Sequence, residues 1–468
     1  MLSAQDWADY ERSEQLESKS INDPLETPYL SLYEARELLE NLRHNLCNIY
    51  EQDCSECSAE VTGVLAGLYL KLGRNFYQTD ETKHGEEHCI QGLAVLDVDI
   101  NDLSQQSLLS AASALLPETV DACIGLLNYL GFIYETWGEH EKAKKCLGDA
   151  ETVYAAYKVQ QEDQVPLTLE DCLQRLCGVH DGSVDADQMW KCFESLHTHT
   201  VYFLAQVYKN AGELNLAANY CEKTLVRQLE SGDFEPIEWS LNAATLSQYY
   251  VSKASSKSSN FTLARHCLAA AESVILRFEE NSPKFKENKD SLTADQRYEM
   301  EEEEEKLLNC KADVYRCWSK YGIALLETTK EETVDLEDIQ QEVASSGGLD
   351  LCMGEVCPLF PQLDLQKYED QVAASVPVTF SEARPVFLSV QSWIGKAKTF
   401  YNMEERATDA VELMQDHSRV FKALIEYETE VERKCKMHKR RLDLLTSVLE
   451  VKLHFYPYLV CLCNTNKI

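Results

Sequence analysis

No run of about 18 apolar residues occurs in this 468-residue chain, so no segment is suited to cross a bilayer as a helix. Positive charge is scarce as well: 44 Lys and Arg face 79 Asp and Glu, a formal net charge of −35. Phosphate-bearing surfaces repel such a chain, which argues against general binding to nucleic acid or anionic membrane and suits a partner with a basic face. The N-terminal stretch from Met1 to Gln15 has no basic segment leading into an apolar one, so no secretory signal is expected and the location reads as cytoplasmic. Catalytic signatures are missing: there is no P-loop, GxSxG elbow, HExxH or glycine-rich dinucleotide loop, and neither an enzyme nor a cofactor is expected. Two metal-like patterns are incomplete. Cys54 and Cys57 form a CxxC with no second pair at zinc-site spacing. Asp181, Ser183 and Asp185 begin a calcium-type loop, but Ala186 stands where glycine belongs and Cys192 where the closing glutamate belongs. The 18 cysteines, Cys221 and Cys267 among them, fall within helical patterns and read as small buried hydrophobes.

What the chain does contain is a repeat. In THTVYFLAQVYKNAGELNLAANYCEKTL, Leu204 and Ala205 are followed by Tyr208, then Gly212, Ala217 and Cys221. Leu130, Gly131, Tyr134, Gly138, Ala143, Leu147 and Ala150 take the same relative places upstream, 74 residues earlier (204 against 130), close to two periods of about 34. This is the tetratricopeptide signature, in which small residues let two antiparallel helices approach and large ones fill the seam to the next repeat. A weaker copy carries Leu72, Gly73, Phe76, Cys89 and Gly92, and a further one carries Leu246, Ser247, Tyr250, Ala264, Leu268 and Ala271. The pattern predicts an all-α fold, a right-handed superhelical solenoid of helix pairs.

Along the chain, residues 1–28 read as a polar segment in which Pro24 and Pro28 forbid a continuous helix. Ser31 then reads as the cap of a first helix, and residues 29–278 as the N-terminal solenoid, interrupted by an insertion over 160–187. Residues 279–306, with five glutamates from Glu301 to Glu305, read as a solvated acidic connector. Residues 307–445 form a second helical half with a long loop at about 331–380, and its last long helix is expected to run on through KCKMHKRRLDLL. Helical periodicity fades over 446–468, which reads as a divergent tail.

The first helix of each tetratricopeptide lines the concave face, where repeat positions 2, 5, 6, 9 and 12 reach a ligand. In the central repeat these are His199, Tyr202, Phe203, Gln206 and Lys209; upstream they include Asn128, Tyr129, Phe132 and Glu135; downstream, Thr245 and Gln248. Such aromatics and amides suit a folded protein surface or a bound helix. The cationic clamp that would hold a C-terminal carboxylate is missing, since those positions carry Asn128, Phe132, Tyr202 and Gln206.

Several blocks go beyond the generic repeat. THTVYFLAQVY, EPIEWSLNAATLSQYY, ARHCLAAA and QDHSRVFKALIEYETEVERKCKMHKRRLDLL resemble the kinesin-binding protein family, as do TPYLSLYEARELLE and HGEEHC; the likeness covers roughly residues 20–445. The resemblance implies a non-enzymatic solenoid that grips kinesin motor domains in its concave groove and stops them attaching to microtubules. It also implies a role in microtubule-based transport, axon growth and cytoskeletal organisation, a cytoskeleton-associated location, and other cytoskeletal proteins as further partners. The motor-contacting positions of that family match Phe203, Gln206, Gln228, Thr245 and Gln248 here; the family carries tyrosine where this chain has Phe203. A general tetratricopeptide scaffold that binds peptides without touching motors is the alternative. Members of the family continue past KMHKRR with further helices, so a truncated product or a gene-model error is expected near Thr446, with loss of a cap exposing an apolar repeat face.

Overall fold

The computed structural model describes residues 2–52, 59–98, 115–160, 164–179, 185–254, 259–282, 293–328 and 359–451. Among the described residues it holds sixteen α-helices, one short 3-10 turn and no strand. Tertiary contacts divide the chain into two compact units, Met1–Ser231 and Gly232–Ile468, whereas the sequence suggested a first boundary near residue 278.

In the first unit, α1 (Ala4–Lys19) pairs with α2 (Leu30–Gln52), α3 (Ala59–Gln78) with α4 (Thr82–Val95), and α5 (Val120–Thr136) with α6 (His140–Gln160). A short helix, α7 (Leu169–Cys177), precedes the pair α8 (Ala186–Asn210) and α9 (Leu214–Ser231). Each pair packs on the next, as repeat stacking requires. The signature residues Leu130, Tyr134, Ala143, Leu147 and Ala150 are all buried. Gly131 shows why the position must be small: a Cβ there would lie 2.7 Å from Leu147 Cγ on the partner helix. Cys123, Cys146 and Cys172 are buried free thiols pushed up to about 12 by burial, in keeping with packing rather than reactivity. Cys221, expected inside, is half-buried.

In the second unit, α10 (Pro236–Ser252) pairs with α11 (Ser259–Asn281), and α12 (Ala294–Glu327) packs on both. After the short α13 (Gln366–Glu369), α14 (Phe380–Ala397) packs on α12, and α15 (Ala407–Tyr427) pairs with α16 (Val431–Val451). Pro236 sits in the first turn of α10, where its missing N–H costs nothing.

Several sequence expectations give way. Residues 4–19, read as a polar segment, form α1, capped by Ser3 with Asp6 and anchored by buried Tyr10 and Leu16. Ser31 does not cap α2; it is the second residue of a helix that begins at Leu30, and its hydroxyl donates to Asp23 Oδ1 (2.6 Å). The second half of the acidic connector is helix. Thr293 and Gln296 form a capping box, and buried Met300, Leu307 and Cys310 make an apolar stripe that carries Glu301–Glu305 on the exposed and half-exposed faces. Of the expected loop, residues 329–358 lie outside the described residues, while Phe360 is buried and Glu369 meets His266 Nδ1 at 2.7 Å. The long C-terminal helix breaks at Glu428, whose carboxylate accepts from the backbone N–H groups of Thr429 and Glu430 and so starts α16. α16 runs on to Val451, five residues past the expected loss of helical pattern at Thr446. The CxxC at Cys54 and Cys57 and the residues Asp181 and Ser183 lie outside the described residues, while Asp185 is the cap of α8, accepting from the N–H of Gln188.

Candidate functional site: the first-helix face

Helical spacing brings one row of side chains from α3, α5 and α8 to a common face of the first unit. Tyr129 and Phe132 lie three apart on α5, with ring centroids 5.8 Å apart. Phe203 of α8 meets Phe132 edge-on at 3.6 Å, and Tyr202 and His199 flank Phe203 at 5.5 and 6.3 Å. Tyr77 of α3 extends the row, 6.4 Å from Tyr129 and 6.3 Å from Phe132. All but His199 are half-buried and His199 is exposed, so one flank of each ring packs and the other faces solvent. Tyr77 was not singled out from sequence because its repeat is weak; the signal was its distance from Leu72, which matches that of Lys209 from Leu204.

The site residues differ in what they offer. Gln206, half-buried one turn after Phe203, makes no hydrogen bond among the described residues, leaving a whole amide for a partner. Gln228 lies on α9, the second helix of its pair, with Oε1 enclosed and unpartnered. In the second unit, Thr245 is exposed on α10, while Gln248 donates to Ser247 Oγ (3.0 Å) and to the carbonyl of Cys317 on α12 (3.3 Å). Phe203, Gln206 and Gln228 therefore belong to one unit and Thr245 and Gln248 to the other. Asn128, expected at the face, is 3 % exposed with both amide atoms enclosed and unpartnered, and does not line it.

A charged clamp ties α8 to its neighbouring helices. Glu194 accepts from Tyr154 Oη (2.6 Å), Lys158 Nζ (2.6 Å) and Arg227 Nη2 (2.8 Å), joining α6, α8 and α9. Burial alone would raise this carboxyl; the three donors overcome it and hold it down at about 2. Arg227 also donates to Thr198 Oγ1 and to the carbonyl of Glu194, locking α9 to the first half of α8. Stacked against Tyr154 at 3.6 Å, His197 is buried, and burial with the nearby Arg227 charge pushes it down to about 3, so it stays neutral. The face is thus polar-rimmed, aromatic and rigidly backed, an arrangement for binding. Among the described residues no cluster of His, Cys, Asp and Glu could hold a metal ion, and no helix is long and apolar enough to cross a membrane.

A family model described as KIF-1 binding protein C terminal matches residues 237–462, which takes in most of the segment read as a divergent tail. The KIF-binding protein of Danio rerio is 34 % identical over 488 residues, covering 95 % of this chain and 72 % of that protein. That of Gallus gallus is 33 % identical over 454 residues, with 92 % and 68 % covered. A solved structure titled "Cryo-EM structure of KIFBP core" is 27 % identical and covers 73 % of this chain and 99 % of its own, with a TM-score of 0.40.

Proposed function

The chain belongs to the KIF-binding protein family, and from that premise we propose that it binds kinesin motor domains on its first-helix face and keeps them off microtubules. The observation that carries the reading is the row of half-exposed rings ending at Gln206, an aromatic and amide surface of the kind that anchors protein interfaces. Phe203, Gln206, Gln228, Thr245 and Gln248 make the contacts in this reading, with Phe203 and Gln206 contributing most. Charge supports it: a motor's microtubule-binding face is basic because tubulin is acidic, and a chain of −35 competes for that face and speeds encounter. The protein then acts without catalysis, in the cytoplasm and at the cytoskeleton, as a regulator of microtubule-based transport. Calorimetric titration of a purified kinesin motor domain tests it. The pair Gln206→Ala and Thr245→Ala weakens binding by about tenfold or more, the scale of lost interface anchors. Unchanged affinity would instead favour the alternative, a general tetratricopeptide scaffold that binds peptides or other proteins without inhibiting motors.

A further inference from the structure

The helix α7 is misplaced for a connector. It belongs to the insertion between the pairs α5–α6 and α8–α9, yet it packs back on α3 and α1, the first helices of the two preceding pairs. Its seat is prepared on α3. Leu169 lies against Gly67, where a Cβ would stand 2.9–3.2 Å from three Leu169 carbons. One turn earlier, a Cβ at Gly63 would collide with the carbonyl oxygen of Glu118. Gly67 stands five residues before Leu72, as His199 stands five before Leu204, so the flattened patch falls on the row of positions that faces a ligand.

α7 is built to stay folded there. Thr168 and Asp171 form a capping box at its start, and Gly178 closes its end in the left-handed conformation at φ +67°. Cys172 and Leu173 are fully buried, the N–H of Leu167 donates to the carbonyl of Pro117 (2.8 Å), and Arg175 meets Glu60 of α3 at 3.7 Å. Its remaining side chains are half-buried or exposed, so it is a short amphipathic helix laid on a receiving face, the way a peptide helix occupies a groove.

We propose that α7 is an internal ligand of the first-helix face: it fills the α1–α3 end and sets where a partner's footprint stops, leaving the Tyr129–Phe132–Phe203 row open. The receiving end takes a helix of the same chemistry, apolar at Leu169, Cys172 and Leu173 with an acidic first turn at Glu170 and Asp171. The effect on motors rests on the function proposed above; the receiving site does not.

Two variants displace α7 from opposite sides: Leu169→Asp with Leu173→Asp in the helix, and Gly67→Leu in its seat. The probe is a synthetic peptide of residues 166–178, followed by fluorescence anisotropy. The helix variant binds this peptide, the wild-type chain does not, and a peptide carrying Leu169→Asp binds neither. Both variants bind a kinesin motor domain several-fold more tightly than wild type, because more of the face is free. Failure of the peptide to bind the helix variant overturns the proposal, as does loss of helical circular dichroism in both variants, which would make α7 part of the core. If no motor binds even the wild-type chain, the proposed function fails while the peptide result still decides the internal-ligand claim.

Discussion

Two carboxylates of the first unit pull the pH dependence of stability in opposite directions. Asp149 is 7 % exposed, its Oδ2 has no partner, and burial pushes it up to about 6 despite Lys145 nearby. Its folded-state value lies above the unfolded one near 3.9, so the penalty is full above pH 6 and fades as pH falls toward 4. Glu194 is the reverse: held at about 2, it stabilises above its ordinary value near 4.3, and that contribution is lost as pH falls through 2. From these two groups together, unfolding free energy is therefore expected to be highest near pH 4. Asp149→Asn should raise it at pH 7.5 by on the order of 2 kcal/mol and leave it unchanged at pH 4; equal gains at both values would contradict the assignment. Neither effect was legible in the sequence, because an aspartate inside a helical pattern does not announce whether anything bonds it. Phe203 and Gln206 were legible from periodicity. Gln228, on a second helix, came from family resemblance alone.

Among elements, the repeats that carry glycine or alanine at the close-approach position were read correctly, since the constraint is steric and local. Gly131 against Leu147 tests it: Gly131→Val should cost about 1–3 kcal/mol in chemical denaturation through overpacking, whereas the same change at open Gly148 should cost nothing, since valine is the better helix former. What escaped the sequence were elements whose apolar stripe is thin. α1 shows Tyr10 and Leu16 among acids, and α12 carries five successive glutamates between Met300 and Leu307. In both, a few buried side chains on one face outweigh composition. The break at Glu428 was hidden because a glutamate capping a helix start looks like one within a helix. The fold-back of α7 depends on Gly67, a glycine that periodicity alone did not single out.

At the scale of the whole molecule, the charge of −35 makes a prediction of its own. Binding to a basic motor face should weaken steadily as salt rises, chiefly through slower association, while the Phe203 contribution to the dissociation rate stays constant. Stopped-flow association across a salt series checks this, and a salt-insensitive association rate would remove charge from the mechanism. The claim that gives the molecule its purpose is that it takes motors off their track. Microtubule co-sedimentation of a kinesin motor domain with increasing amounts of this protein tests that most directly. The account predicts that the motor leaves the pellet and appears in a soluble complex, and that Phe203→Ala with Gln206→Ala restores it to the pellet. A motor that stays on microtubules while this protein is folded and in excess, across a panel of kinesins, would contradict it.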